Sequence, residues 1–311
     1  MKKKIFIDGK AGTTGLRIYE RLENRDDVEL ILLSDDERKD PEARKRALNS
    51  CDIAFLCLPD DAARESVSFI ENKNVVVIDT STAHRTDPEW SYGFPELSEE
   101  FENKLLNSKR IAVPGCHASG FIALVYPLVE AGVISKDTLL SCFSLTGYSG
   151  GGKKMIADYE SDDRCDLLDA PRQYALTQSH KHLKEMKAVT GINNAPAFCP
   201  VVGDFYSGMQ VTVPLFASML NDGHGIETIK KIYKDKYNSD FVRFYEGYDD
   251  EGFLSAVKLG GKDSIVVTVT GNEDRILLIA TYDNLGKGAS GAAVECMNMV
   301  MKTERSKGLV L

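Results

Sequence analysis

The chain reads as an α/β protein, with a doubly wound parallel sheet first and a second α/β unit built on a mixed sheet after it. Three observations predict this. The first 80 residues alternate short apolar runs with amphipathic helical patterns. Those runs are almost continuously apolar, so both faces of their sheet must be covered, as in parallel sheets flanked by helices. After Arg110-Ile111-Ala112-Val113 the segments lengthen and several alternate polar with apolar residues, the pattern of a sheet with one wet face.

Taken in order, Lys4-Ile5-Phe6-Ile7-Asp8 is the first strand, and residues 15–24 follow as a helix with Ile18, Tyr19 and Leu22 on one face. Val28 to Ser34 is the second strand. Pro41 to Asn49 suits a short helix with proline in its first turn. Asp52 to Pro59 is the third strand, residues 60–72 a helix with Ala63, Val67 and Ile70 inward, and Val75 to Asp79 the fourth strand. Right-handed crossovers wind these into a parallel sheet. A helix over 117–131 follows Val113. Thr138–Thr146, Met209–Ala217, Asp240–Tyr245, Ser264–Thr270 and Arg275–Thr281 are the strands of the second unit. A long helix, roughly 288–303, closes the chain after Gly286-Lys287-Gly288. The expected domains are 1–115, with the C-terminal helix 288–311 returning to it, and 116–287.

A length of 311 residues suits two domains at a prior of roughly 150 residues each. Hydrophobic residues at 43% and charged residues at 27% exclude a disordered chain, a collagen and a coiled coil. A net charge of −9, with no basic stretch beyond the first four residues, argues against a nucleic-acid partner. No apolar run approaches the roughly 20 residues that cross a bilayer. The apolar stretch after the first lysines is too short for a signal-peptide core. Seven scattered cysteines without a Cys-x-x-Cys suit a reducing, cytoplasmic compartment.

Gly9-Lys10-Ala11-Gly12-Thr13-Thr14-Gly15 lies between the first strand and the first helix. Glycines there allow a tight turn and close approach of a pyrophosphate, and the helix N-terminus offers N–H groups and partial positive charge. The spacing is G-x-x-G-x-x-G rather than G-x-G-x-x-G, but its strand–loop–helix setting makes it a Rossmann-type dinucleotide loop. The residues after the second strand leave the nucleotide open. Asp35 or Asp36 would favour a ribose 2′-hydroxyl, whereas Ser34, Arg38 and Lys39 could cradle a 2′-phosphate.

Cys116, in Val113-Pro114-Gly115-Cys116-His117-Ala118-Ser119-Gly120, follows a strand and opens a helix, the setting that favours a thiolate. A dinucleotide fold with an activated thiol points to aldehyde chemistry. The thiolate traps a carbonyl, hydride passes to or from a nicotinamide, and phosphate exchanges with the thioester. Cys51, Cys57, Cys142 and Cys296 lie beside or within apolar runs and suit core packing. An acid or base must serve the thiol. Among five histidines, His180 and His182 form a pair followed by Glu185, which could orient one ring; His180 is favoured. Zinc on the His-x-His pair is the rival reading, but no further ligand lies at useful spacing, so no metal is expected. Ser149, Gly150 and Lys153, in Gly147-Tyr148-Ser149-Gly150-Gly151-Gly152-Lys153, could hold an anionic substrate. Asn284 and Lys287, after the last strand, could meet a nicotinamide carboxamide and a phosphate.

Together the glycine loop, Pro114-Gly115-Cys116-His117, Tyr148-Ser149-Gly150, His180-x-His182 and Asp283-Asn284-Leu285-Gly286-Lys287-Gly288-Ala289 resemble the N-acetyl-gamma-glutamyl-phosphate reductase family. Its short form is the nearest in pattern, through Gly12-Thr13-Thr14-Gly15, Glu37-Arg38-Lys39-Asp40, Leu58-Pro59-Asp60-Asp61-Ala62-Ala63 and Ser81-Thr82-Ala83-His84-Arg85. The resemblance implies a glyceraldehyde-phosphate-dehydrogenase-like architecture. It implies NADPH-dependent reduction of N-acetyl-glutamyl 5-phosphate to N-acetylglutamate 5-semialdehyde, a step of arginine biosynthesis. By the same resemblance Cys116 carries the acyl group, His180 is the acid/base, and Ser149 contacts substrate. Asn284 and Lys287 line the nicotinamide end, and Cys57, Leu58 and Pro59 join the glycine loop at the cofactor. It also favours NADP, which assigns Ser34 and Arg38 to the 2′-phosphate. Two departures stand out: Lys184 where the family often has proline, and Gly150-Gly151-Gly152-Lys153 where it often has Gly-Ala-Gly-Arg. The second replaces a bidentate guanidinium with a point charge.

The rival enzyme is a related acyl-phosphate reductase such as an aspartate-semialdehyde dehydrogenase, separated by whether the pocket takes a free amino group. A non-catalytic NADP-binding sensor would bind the nucleotide without turnover, and a zinc-dependent hydrolase would be sensitive to chelators. The expected partners are a small acyl phosphate or semialdehyde, inorganic phosphate and, by analogy of architecture, further copies of the chain.

Overall fold

Alternation of buried apolar strands with amphipathic helices produces two units in the computed structural model, which describes residues 2–311. The first comprises residues up to Gly115 together with Ala289–Val310. Its elements are β1 (Lys3–Asp8), α1 (Thr13–Leu22), β2 (Val28–Ile31), α2 (Pro41–Ser50), β3 (Ile53–Leu56), α3 (Asp60–Ser68) and β4 (Val76–Asp79). β5 (Ser91–Tyr92), α4 (Glu99–Asn107), β6 (Arg110–Ala112) and, after the second unit, α9 (Gly291–Met301) complete it. The sheet is wholly parallel, in the order β2-β1-β3-β4-β6-β5.

β1 shows why its sequence does not alternate. Ile5 and Ile7 pack with α1 and α9 on one face, and Phe6 packs with Ala47 and Leu48 of α2 and Ala63 of α3 on the other. Helix α9 (GAAVECMNMVM) is apolar almost all round and is buried along nearly its whole length. Its polar positions are satisfied from within the unit: Asn298 Oδ1 accepts from Arg25 at 2.6 Å, and Glu295 pairs with Arg305.

The second unit, Cys116–Gly288 with Leu311, contains α5 (Cys116–Glu130), β7 (Ser141–Gly147), α6 (Gly152–Glu160), β8 (Arg172–Gln173), α7 (His182–Thr190) and β9 (Ala197–Gly203). It continues with β10 (Met209–Phe216), α8 (Ile226–Lys236), β11 (Val242–Phe244), β12 (Ile265–Gly271) and β13 (Arg275–Tyr282). Its seven-stranded sheet, β11-β12-β13-β10-β7-β9-β8, is mixed. β10 alternates as its sequence predicts: Met209, Val211, Val213 and Leu215 are buried, and the residues between them are more open. The buried face is covered by α5, which packs on β10 and β13 and against α7 and α8.

Helix α5 is apolar on all sides, and Pro127 interrupts its hydrogen-bond ladder. Proline has no N–H for the carbonyl four residues earlier, Ala123. The Tyr237 hydroxyl takes that place, donating to Ala123 O at 2.7 Å, and Tyr233 donates to the next carbonyl, Leu124 O.

β2 and β3 are shorter than their apolar runs suggest, β1 and β13 each gain one residue, and α1 starts two residues before its hydrophobic pattern because the glycine loop turns directly into it. α4, α6, α7 and β9 have no counterpart in the sequence reading. β9 carries Pro200, which disfavours a strand; it lies beside the sheet edge, where the outer strand β8 is only two residues long. α4 did carry a start signal, since Ser98 caps it by accepting from Phe101 N.

A buried ion network holds the start of the glycine loop. Asp8 and Arg44 are both buried; the guanidinium donates to both Asp8 carboxylate oxygens at 3.1–3.3 Å, to Glu65 at 3.0 Å and to Ser66 at 2.7 Å. Ser66 also donates to Asp8 at 2.8 Å. Removing one partner strands a buried charge. Arg44→Met should therefore cost about 3–5 kcal/mol in denaturant unfolding. Adding Asp8→Asn to the same chain should recover part of that loss; no recovery would mean that the stranded charge is not the cause.

Candidate active site

Each unit contributes a set of residues at its own strand ends. In the first unit the chain leaves β1 into Gly9, whose φ of +88° lies in the left-handed region that glycine adopts freely. A Cβ on Gly9 would lie 2.3 Å from the Cys57 carbonyl oxygen, and one on Gly15 would lie 2.4 Å from the Gly9 carbonyl oxygen. Both positions must therefore be glycine. Gly12 N–H donates back to Gly9 O at 2.9 Å and Gly12 leads into α1, which has no acidic residue in its first turn and no side-chain cap. Its leading N–H groups are thus available to an anion. Thr13, the first residue of α1, has a buried hydroxyl oxygen with no hydrogen-bond partner among the described residues. An orphaned hydroxyl at a glycine-lined helix start fits the pyrophosphate of a dinucleotide; Thr14 follows in the same turn.

Cys57, Leu58 and Pro59 form the exit of β3 beside Gly9, and Pro59 leads into α3. Burial pushes the Cys57 thiol up to about 12, so it stays protonated. At the exit of β2, Ser34 N–H and Oγ both donate to one Glu37 oxygen, at 3.0 and 2.9 Å, and Arg38 pairs with Asp35 at 3.2 Å. Glu37 N–H in turn donates to Ser34 Oγ at 3.3 Å, so the two residues bond reciprocally. The donors that the sequence singled out for a 2′-phosphate thus already face carboxylates, which have the charge sign of that group.

In the second unit Cys116 is the first residue of α5. Adjacent helix positions project in different directions, and His117 turns inward, where it meets His180 and His182. Its ring centroid lies 5.5 Å from that of His180 and 5.6 Å from that of His182, while His180 and His182 are 4.6 Å apart. Phe198 and Tyr174 close the group at 5.2 and 6.2 Å from His180. Both nitrogens of His117 are held by hydroxyls: Nδ1 by Ser144 at 2.7 Å, Nε2 by Tyr174 at 2.6 Å. Burial pushes its imidazole down to about 3, with His180 adding in the same direction, so His117 is neutral at physiological pH. Burial also pushes the Tyr174 phenol up, and the neighbouring Cys116 adds to the shift.

His180 carries an assignable tautomer. Its Nδ1 accepts from the backbone N–H of His182 at 3.2 Å. The neutral ring therefore bears its proton on Nε2 and presents a donor there. His182, the first residue of α7, and Glu185, one turn on, are both buried. The sequence-predicted trio is thus brought onto one short segment, with His180 the more open of the two rings.

Ser149 is buried at the turn into α6, Gly150 follows it, and Lys153 projects to solvent from α6. Ser149 Oγ accepts from Asn284 Nδ2 at 3.0 Å, which leaves its own proton to be donated elsewhere. Asn284 Oδ1 accepts from Gly208 N–H at 2.9 Å, so both ends of this amide are engaged inside the unit. Lys287 is buried in a single π-helical turn, with its ammonium 5.3 Å from the centre of the Phe241 ring. Tyr174, Ser144, Phe198 and Tyr282 escaped the sequence reading. Nothing in their local pattern marks them, because long-range packing alone brings them to the histidines and Cys116.

Asn284→Ala would leave the buried Gly208 N–H without its acceptor, a loss of about 1–3 kcal/mol. Hydrogen exchange at that amide should accelerate accordingly, and unchanged protection would show that Asn284 does not hold the 205–208 loop.

Two family models match the chain. Residues 4–104 match "Semialdehyde dehydrogenase, NAD binding domain", and residues 116–284 match "Semialdehyde dehydrogenase, dimerisation domain". Among curated proteins, N-acetyl-gamma-glutamyl-phosphate reductase 2 of Nostoc sp. (strain PCC 7120) is 42% identical, with 99% of each chain covered. The N-acetyl-gamma-glutamyl-phosphate reductase of Sinorhizobium medicae is 43% identical, over 97% of this chain and 99% of the relative. Among solved structures, aspartate semialdehyde dehydrogenase II from Vibrio cholerae superposes with a TM-score of 0.74 at 18% identity, covering 97% of this chain and 99% of that one. Aspartate semialdehyde dehydrogenase with NADP from Candida albicans gives 0.66 at 15% identity, over 97% and 99%. At such identities the likeness is one of fold.

Proposed function

Since the chain belongs to the N-acetyl-gamma-glutamyl-phosphate reductases of the semialdehyde dehydrogenase family, we propose that the residue set of the first unit binds the dinucleotide and that the set of the second carries the catalytic chemistry of Cys116. The enzyme reduces N-acetyl-glutamyl 5-phosphate to N-acetylglutamate 5-semialdehyde and inorganic phosphate with NADPH, in arginine biosynthesis. The observation that supports the residue assignment best is the position of Cys116 at the head of the buried helix α5, with the next residue, His117, packed against the His180–His182 pair.

The glycine loop, Thr13 and Thr14 at the start of α1, and Cys57-Leu58-Pro59 at the end of β3 are assigned to the dinucleotide. Ser34 and Arg38 are assigned to its 2′-phosphate, which would replace the carboxylates of Glu37 and Asp35 as their partners. The bound NADPH supplies the hydride that reduces the acyl group.

The Cys116 thiolate attacks the carbonyl carbon of the acyl phosphate. The carbon–oxygen bond to phosphorus breaks, inorganic phosphate leaves, and the acyl group stays on Sγ as a thioester. When the tetrahedral oxyanion of the reduced thioester collapses, the carbon–sulfur bond breaks, the aldehyde leaves, and the thiolate is restored. His180, with its proton on Nε2, is assigned as the donor to that oxyanion, and Glu185 with His182 as the buried support of the segment that carries it. Neutral His117 adds no competing positive charge beside the thiolate. Ser149, aimed by Asn284, donates to the substrate, and exposed Lys153 offers a point charge to its anionic groups. Lys287 is assigned to the nicotinamide end with Asn284 on the strength of the family motif.

The protein is assigned to the cytoplasm, which suits seven cysteines that are all free thiols. It is also assigned as a homo-oligomer. The outer face of the mixed sheet exposes Phe143 on β7, Phe216 on β10 and Leu277 on β13, with Thr212 opposite Phe143 and Pro214 opposite Leu277 in register. Such an apolar face is a ready interface.

Cys116→Ser should lose at least about a thousandfold in phosphate-dependent NADP reduction with N-acetylglutamate semialdehyde while still binding NADPH. Full activity in that variant would remove the thioester route. On sizing columns the wild-type chain should elute as an oligomer and Phe143→Asp as a smaller species; identical elution would place the interface elsewhere.

A further inference from the structure

Tyr282, the last residue of β13, is fully buried, and its hydroxyl reaches into the helix that begins with the nucleophile. The hydroxyl donates to the Cys116 carbonyl at 2.6 Å and accepts from the Gly120 amide at 3.1 Å. Those two backbone groups stand four residues apart, the pair that an undisturbed helix joins directly. The tyrosine oxygen thus engages both ends of the first rung of a helix that runs from Cys116 onward.

The rest of the local sequence accommodates this contact. A Cβ on residue 120 would lie 2.6 Å from Tyr282 Oη and 2.7 Å from Val211 Cγ2, so only glycine leaves room for the phenol. Burial pushes the phenol well above its ordinary value, and Cys116 adds to the shift, so the hydroxyl keeps its proton and remains a donor to the Cys116 carbonyl. The following residues, Asp283 and Asn284, are held from several sides: Asp283 accepts from Ser207, Gly261, Leu285 and Gly286, and Asn284 bridges Gly208 and Ser149. The tyrosine therefore reaches α5 from a fixed base.

We propose that Tyr282 is a positioning residue for the nucleophile: by engaging both ends of the first turn of α5 through one hydroxyl, it sets where the backbone of Cys116, and hence its thiol, stands. Without the oxygen, the Cys116 carbonyl loses a buried donor and the Gly120 amide a buried acceptor, and the first turn is free to relax. The sulfur then moves relative to the first-turn N–H groups that favour a thiolate. A bland alternative exists, in which the hydroxyl merely satisfies two buried polar groups. It predicts a stability defect and leaves the thiol unchanged.

The kinetic consequence rests on Cys116 being the nucleophile, but the position of its thiol can be read without substrate. The test is Tyr282→Phe in the full chain, which removes one oxygen. Two quantities are compared with wild type: kcat and KM for the phosphate-dependent reaction, and the pH dependence of iodoacetamide alkylation at Cys116, followed by peptide mass spectrometry. The inference expects kcat to fall roughly tenfold to a hundredfold with KM held within about twofold. It also expects the alkylation profile of Cys116 to move to higher pH. Gly120→Ala, whose methyl group drives the hydroxyl out, reaches the same state from the other side and should show the same two changes; it decides the matter if Tyr282→Phe does not fold. An unaltered Cys116 alkylation profile in a folded variant overturns the proposal, even if the melting temperature falls. Should Cys116→Ser remain active, the nucleophile assignment fails by itself, while the alkylation profile still judges the role of Tyr282.

Discussion

Three consecutive buried residues at the end of β13, Tyr282-Asp283-Asn284, tie together the start of α5, the 205–208 loop and Ser149. Each spends its polar atoms on backbone or side-chain groups that would otherwise be buried without partners. Tyr282 joins the first turn of α5, Asp283 gathers four donors from Ser207, Gly261, Leu285 and Gly286, and Asn284 spans Gly208 and Ser149. An unpaired buried N–H or carboxylate costs more than a made hydrogen bond returns, so these contacts are hard to break one at a time. One strand end thereby sets the first turn of α5 and the Ser149 loop together.

The histidine cluster follows the same logic with rings in place of loops. His117 is kept neutral by burial and is clamped between Ser144 and Tyr174, so it offers a fixed wall to His180 and His182. A backbone amide settles the His180 tautomer. Orientation here comes from groups that do not titrate near neutral pH.

In the nucleotide-binding unit the governing constraint is steric. β1 and β3 run side by side and their exits bring Gly9 onto the Cys57 carbonyl, so no side chain fits at Gly9 and the loop backbone lies bare before α1. The buried Asp8–Arg44–Ser66 network ties the same β1 exit to α2 and α3. The glycines provide the opening, and the ion network keeps it in place.

Composition and pattern alone determined the architecture: unbroken apolar runs require a sheet covered on both faces, and alternating ones require a sheet with an open face. The glycine spacing and a cysteine at a helix start were legible for the same reason, since strand, loop and helix there are contiguous in sequence. α4, α7 and β9 were not, because weak periodicity and Pro200 hid them until packing decided. Nor were Tyr174, Ser144 and Tyr282. Tyr282 lies 166 residues from Cys116, and only the pairing of β13 in the mixed sheet and the packing of α5 on it bring the phenol to that residue. Local chemistry is written along the chain; contacts that close over such separations exist only once the core has formed.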